Sequence, residues 1–298
     1  MKFPVPGWRS IWMLFLVAAV GAACAPTPNP TAVPPTISPT SPSGNGPCPP
    51  PQVEPPPESR FTPLDGTGAI AYSNNGLWLV DPTTGRTVQL HQGSDGTFVW
   101  APDGERIAFL SFLRLNLCAF AFLMLADLRT GIIQPLVDRP GLYSRPAWSP
   151  DGKHLAYTDS EGRLWALRLS DHQRRVLRED VYVSKAIDLQ GNVVNWFPQA
   201  PRWTDGTHIA YLRRNERGGV LGIAEVSLNG LEDAMLVVDT VWPYDGFALT
   251  PDGNRLAYAR SEEGPLVVMD LRSGERITVA GDASQSVRSP SERLQWSP

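Results

Sequence analysis

The stretch Trp148-Ser-Pro-Asp-Gly-Lys-His-Leu-Ala-Tyr157 decides how the chain is read, because imperfect copies of it recur. They are Trp100-Ala-Pro-Asp-Gly-Glu-Arg-Ile-Ala-Phe109, the shortened Trp203-Thr-Asp-Gly-Thr-His-Ile-Ala-Tyr211 and Leu249-Thr-Pro-Asp-Gly-Asn-Arg-Leu-Ala-Tyr258. Half-copies frame them, Ile70-Ala-Tyr72 before and Trp296-Ser-Pro298 after. Each copy predicts a hairpin: an apolar strand ending at Trp or Leu, a Pro-Asp-Gly turn, then a second strand. Proline presets the turn dihedral, aspartate accepts backbone N–H bonds, and glycine takes the positive φ that closes a short loop.

The lead residues fall at 100, 148, 203, 249 and 296, hence at spacings of 48, 55, 46 and 47. A strand-rich period in the forties predicts propeller blades. A second piece follows each hairpin: Leu77–Gly85, Leu123–Gly131, Arg163–Leu169, Leu221–Val226 and Pro265–Gly274 read as third strands, with or without their turns. Fourth strands are Thr87–Leu90, Ile132–Val137, Arg174–Leu177, Met235–Val238 and Arg276–Val279. Many third strands are apolar at successive positions, as in a sheet covered on both faces. The run Leu115 to Leu128 is broken by Asn116 and Asp127 and too short to span a bilayer, so it reads as a buried strand pair.

The expected fold is therefore all-β, a propeller of four-stranded blades over residues 61–298. From Ala69 the strands run as second, third and fourth of a first blade, then four sets of four, and Leu294-Gln-Trp-Ser-Pro298 is a leftover first strand. That strand closes a five-bladed ring by completing the first blade, or else the sequence is truncated and the propeller has six or more blades.

The N-terminus carries Lys2 and Arg9, an apolar core Ile11 to Val20, then Gly21-Ala-Ala-Cys24. A positive leader, a short apolar region and small residues make residues 1–23 a secretory signal rather than a spanning helix. Residues 24–60 follow as a tether: from Ala25 to Arg60 there are fourteen prolines among Thr, Ser and Asn, a composition that cannot bury a core. The chain carries a net charge of −4, and losing the first 23 residues, which hold two bases and no acid, makes it −6. That balance, with no basic cluster, argues against nucleic acid as a partner.

Gly21-Ala-Ala-Cys24 resembles the lipobox of bacterial lipoproteins, although those favour Leu where this chain has Gly21. The resemblance implies lipidation of Cys24 and a domain held off a membrane, outside the cytoplasm. Cys48 and Cys118 then remain to form a disulfide in an exporting compartment, unless Cys118 stays a buried thiol.

The repeated Trp-Ser-Pro-Asp-Gly-x-x-Leu-Ala-Tyr pattern resembles the WD40-like (PD40) repeats of the TolB family of β-propellers, which also occur in the propellers of prolyl-oligopeptidase-type enzymes. The likeness covers Ala69 to Pro298. It implies a fold, since propellers host unrelated activities.

Chemistry-bearing motifs are absent. There is no Gly-x-Ser-x-Gly elbow, no His-Glu-x-x-His and no paired Cys-x-x-Cys. Gly66-Thr-Gly-Ala-Ile-Ala71 matches a relaxed dinucleotide fingerprint, but a strand follows where a helix is required. His154 and His208 share a repeat position with Arg106 and Arg255, which marks an exposed strand position and not a metal ligand. Asp103, Asp151, Asp205 and Asp252 are each accounted for by a turn, and Trp100, Trp148, Trp203 and Trp296 by packing between blades. No catalytic residue, metal or cofactor is expected.

Insertions favour the face that carries second-to-third and blade-to-blade connections. Glu179 to Arg202 is the longest, and Arg213-Arg-Asn-Glu-Arg217 and Trp242-Pro-Tyr-Asp245 join it. Tyr182, Trp196, Phe197, Arg213, Arg217, Trp242 and Tyr244 are the candidate binding residues, because aromatics and arginines on scaffolded loops are enriched at recognition surfaces. The expected function is non-enzymatic binding of a protein, peptide or envelope glycan. The alternative is the substrate-gating propeller of a longer serine peptidase, and a third option is a surface sensor or carbohydrate-binding module.

Overall fold

The computed structural model describes residues 54–64, 68–92, 97–115, 118–137, 144–187, 193–198, 200–239, 241, 247–250, 252–260 and 265–279. Strand β1 (Ser59–Arg60) comes first. Sheet 1 holds β2 (Ile70–Ser73), β3 (Gly76–Val80) and β4 (Thr87–Gln92). Sheet 2 holds β5 (Phe98–Trp100), β6 (Arg106–Leu115), β7 (Cys118–Asp127) and β8 (Ile132–Pro135), and sheet 3 holds β9 (Ala147–Trp148), β10 (His154–Thr158), β11 (Leu164–Arg168) and β12 (Arg174–Arg178). A separate hairpin follows, β13 (Val183–Ile187) with β14 (Val193–Pro198). Sheet 4 is β15 (Arg202–Trp203), β16 (His208–Arg214), β17 (Val220–Ser227) and β18 (Asp233–Val238); sheet 5 is β19 (Phe247–Leu249), β20 (Arg255–Ala259), β21 (Leu266–Asp270) and β22 (Arg276–Val279). Each sheet is an antiparallel meander, and the described residues include no helix.

These strands follow the repeat. A Pro-Asp-Gly turn joins first to second strand: Gly152 N–H donates to Ser149 O at 2.9 Å with φ +67°, while Asp151 Oδ1 accepts from Lys153 N–H at 3.0 Å. The Asp-x-x-x-Gly segments between third and fourth strands close likewise. Asp81 takes hydrogen bonds from the hydroxyls and N–H groups of Thr83 and Thr84, and these hold its carboxyl down at about 2.

Apolar clusters lie between successive sheets, and strand period decides which residue joins which. In β6, Ile107 and Phe109 pack with Leu77 and Leu79 of sheet 1, whereas Ala108 and Leu110 pack with Leu155 and Tyr157 of sheet 3. Sheets 3 and 4 share Leu164, Leu177, Ile209 and Tyr211; sheets 4 and 5 share Leu212, Ile223, Leu256 and Tyr258. A strand with apolar residues at successive positions thus buries both faces, as its composition predicts. The tyrosine is fully buried in three Leu/Ile-Ala-Tyr copies, at Tyr157, Tyr211 and Tyr258, and exposed in the half-copy at Tyr72.

Three expectations change. The run from Leu115 to Leu128 is not a strand pair in itself: Leu115 ends β6 and Cys118–Asp127 form β7, whose ten residues pair with the ten of β6. The inserted segment after sheet 3 is not a bare loop, because its middle closes as the β13–β14 hairpin. The last two residues of the expected tether form β1, which adds to β8 as a fifth strand of sheet 2, with Ser59 opposite Ile133. Phe61 and Leu64 then pack into the cluster between sheets 1 and 2, and Phe61 N–H donates to Gly131 O at 2.9 Å. A Cβ at Gly131 would collide with Phe61 O, so that glycine makes the approach feasible. The leftover strand Leu294–Pro298 lies outside the described residues.

Candidate functional site

In an antiparallel meander, alternate turns emerge at opposite ends. The Asp-Gly turns mark one end of every sheet, and the connections between second and third strands, with those from sheet to sheet, mark the other. The β13–β14 hairpin is the connection from sheet 3 to sheet 4, so it rises at this second end. The β6–β7 junction lies there too, and β14 comes alongside β7.

The base of the hairpin is bound to sheet 4 by its backbone. Tyr182 N–H donates to Leu212 O at 2.8 Å, Arg214 N–H donates to Asp180 O at 2.7 Å, and Val181 bridges Arg213. On the other side Val181 N–H donates to Gly162 O at 3.0 Å. Gly162 sits at φ +80°, and a Cβ there would press on Val181 O at 2.8 Å. Hydrogen bonds from both neighbouring sheets therefore hold the insertion where it leaves the scaffold.

Side chains reinforce the same junction. Arg213 Nε lies 2.8 Å from Asp180 Oδ2, and its Nη1 lies 3.0 Å from Asp233 Oδ2. Arg178 joins the cluster through Asp233 and through the Tyr211 hydroxyl at 3.3 Å, and that hydroxyl donates to Asp180 Oδ1 at 3.2 Å. Burial, followed by the negative charge of Asp180, pushes the Tyr211 hydroxyl far above the usual phenol range. The arrangement recurs one sheet later: Tyr258 donates to Asp239 Oδ2 at 3.1 Å and Arg260 Nε donates to it at 2.8 Å. The sequence signal is a Tyr-x-Arg beside an Asp just after the preceding fourth strand. Sequence reasoning missed it because Arg213 reads equally well as an exposed recognition residue.

The candidate binding residues are thus placed differently from one another. Tyr182 is half-buried against the cluster between sheets 4 and 5. Arg213 is held in ion pairs with Asp180 and Asp233. Arg217 is exposed at the tip of the Asn215–Gly219 turn, where Asn215 Oδ1 accepts its N–H at 3.0 Å. Trp196 and Phe197 occupy consecutive positions of β14, opposite Lys185 and Ser184; their side chains lie outside the described ones. Trp242, Tyr244, Cys24 and Cys48 lie outside the described residues, as does the side chain of Cys118.

The repeat tryptophans link neighbouring sheets. Trp148 Nε1 donates to Val99 O at 3.2 Å, and Trp203 Nε1 donates to Ala147 O at 3.0 Å. Arg106 covers the Trp148 ring with its guanidinium 5.0 Å from the centroid, and His154 lies 6.3 Å from the Trp203 ring. The position shared by Arg106 and His154 is therefore a stacking position against the next sheet.

Among the described residues, no group of three or more His, Cys, Asp or Glu side chains could hold a metal ion. No described helix is long and apolar enough to cross a membrane.

Comparison with solved structures bears on the fold. Oligogalacturonate lyase in complex with manganese superposes with a TM-score of 0.56 at 18% identity, over 71% of this chain and 61% of that one. TolB from Acinetobacter baumannii superposes with a TM-score of 0.51 at 19% identity, over 72% of this chain and 52% of that one. The fold is a β-propeller. No protein-family profile matches the chain. In sequence it is 33% identical over 94 residues to "Uncharacterized peptidase YuxL" of Bacillus subtilis (strain 168), a match covering 31% of this chain and 14% of that protein. The propeller therefore matches only parts of these longer proteins.

Proposed function

We propose that this chain is a non-enzymatic binding propeller, exported and anchored through a lipid on Cys24, which recognises a protein, peptide or envelope glycan at the end carrying the β13–β14 hairpin. The observation that supports this reading is the fastening of that hairpin. An insertion bonded at its base to sheets 3 and 4 leaves the scaffold at a fixed point, which is how a scaffolded loop gains affinity, and β14 of that insertion carries Trp196 and Phe197. Arg217, exposed on the neighbouring turn, supplies a cation at the same end.

The direct test is site-specific photo-crosslinking from positions 196 and 217 of the full-length protein in its own cells. Crosslinks to one partner from both positions, and none from position 231 at the opposite end, are the expected result. Equal labelling from position 231 would remove the assignment. Palmitate incorporation that disappears in Cys24→Ser tests the anchor.

A second reading rests on the match to the Bacillus peptidase: this propeller gates a serine peptidase. Labelling of the complete gene product by a fluorophosphonate probe would favour that reading over the first.

A further inference from the structure

The third copy of the repeat is one residue short, since Trp203-Thr-Asp-Gly lacks the proline found before Asp103, Asp151 and Asp252. The four turns differ at their glycines. A Cβ at Gly152 would lie 3.1 Å from Arg106 of sheet 2, and one at Gly253 would collide with Thr204 O of sheet 4. One at Gly206 would meet nothing within 4 Å. The turns of sheets 3 and 5 therefore close against the sheet before them, whereas a Cβ at Gly206 of the shortened turn, like one at Gly104 of sheet 2, meets nothing.

A second difference is the side chain that spans the junction. Arg106 spans the junction of sheets 2 and 3 by donating to Gly152 O at 3.0 Å, but the equivalent residue at the next junction is the shorter His154. Between sheets 3 and 4, at the Asp-Gly end, lies a cleft of about 640 Å³. That volume is typical of small-molecule sites.

The lining is basic although the protein is acidic. Arg168, Arg174, Arg175, His154 and His208 line the cleft, and Glu232 is the one acid among its lining residues. Arg168 is oriented by Asp171 at 2.6 Å and Gln173 at 2.9 Å, whereas the Arg174 guanidinium lies 5.1 Å from the centroid of Trp165, on the side facing sheet 2. Arg175 is exposed and has no ion pair among the described residues. His154 Nδ1 is buried without a hydrogen-bond partner among them. Guanidinium forks on adjoining strands, that of Arg168 preordered by Asp171 and Gln173, are the donor set for carboxylate and phosphate oxygens.

We infer that the cleft between sheets 3 and 4 is a binding site for a small polyanion, a molecule carrying two or more carboxylate or phosphate groups. It lies at the opposite end from the hairpin and is independent of the binding reading above. Arg168 and Arg175 supply the positive charge.

The test is titration calorimetry of the full-length protein, in parallel with citrate as the carboxylate probe and pyrophosphate as the phosphate probe. Saturable one-site binding of at least one is expected, weakening as sodium chloride is raised, and the probe that binds assigns the group. Arg175→Glu should weaken that binding more than tenfold while leaving the melting temperature unchanged. Absence of saturable binding by both probes overturns the inference, as does undiminished binding by Arg175→Glu.

Discussion

The indole Nε1 of Trp203 donates to the carbonyl oxygen of Ala147 at 3.0 Å, so the first strand of sheet 4 is hydrogen-bonded to the residue beside the lead tryptophan of sheet 3. Trp148 makes the same bond back to Val99, beside Trp100. A motif that reads locally as a strand end before a turn is also the part that joins one sheet to the next. Trp203→Phe keeps an aromatic ring but leaves Ala147 O without this donor, at a cost of about 1 kcal/mol. The expected fall in melting temperature is about 2–4 °C, followed by circular dichroism. No change would mean that the indole N–H adds nothing beyond ring packing.

The turn glycines form a matched pair for a second measurement. Gly253 combines φ +68° with a would-be Cβ that collides with Thr204 O, while Gly206 faces open space and has no positive φ. Gly253→Ala is expected to destabilise by about 2 kcal/mol or more, and Gly206→Ala by no more than about 0.5 kcal/mol. Urea denaturation of the two variants gives the comparison, and equal losses would contradict the difference between the junctions.

The Asp239 carboxylate receives both the Tyr258 hydroxyl and Arg260. A double-mutant cycle with Tyr258→Phe and Asp239→Ala should give a coupling of about 0.5–1.5 kcal/mol. The cycle with Arg260→Ala should give less, because Arg260 is about half exposed and water screens its charge. A vanishing coupling for the tyrosine pair would show that the hydroxyl gains no more from Asp239 than from water.

His208 lies between Asp205, at 3.1 Å, and Glu232, at 3.4 Å. Burial disfavours its charged form, but hydrogen bonds to the two carboxylates and their charge outweigh this and lift its pKa above the ordinary 6.5. A folded pKa above the unfolded one means stabilisation that is fully present below about 6.5 and lost as pH rises through the folded value. Stability relative to His208→Gln should therefore decline from about pH 6 to pH 8, and a flat difference across that range would remove the ion pairs from the account.

For the binding face, Trp196→Ala combined with Trp242→Ala should weaken capture of a crosslinked partner at least tenfold while the melting temperature stays within about 2 °C of the parent. Unchanged capture would move the site away from the hairpin end.

Much of the architecture was legible before any coordinates, because a repeat states the same local chemistry several times. Pro-Asp-Gly at residues 102–104 and 150–152 can hardly be anything but a turn, and Leu155-Ala-Tyr157 with Leu164 to Leu167 can hardly avoid being strands buried on both faces. Strand order within sheets 1 to 5 followed, since short connections allow little besides a meander. Contacts between residues distant in sequence were not legible. That Ser59 pairs with Ile133, or that Asp180 receives Tyr211, depends on which sheet faces which edge.

The sequence by itself determined the turn chemistry, the strand period and the repetition, because φ preferences, side-chain alternation and local hydrogen bonding act over a few residues. Tertiary structure alone decided the use of each irregularity. The proline missing before Asp205 looks like a minor departure in a one-dimensional alignment of copies. In three dimensions its effect depends on packing, because whether a Cβ at Gly206 meets backbone or open space depends on the sheet packed beside it.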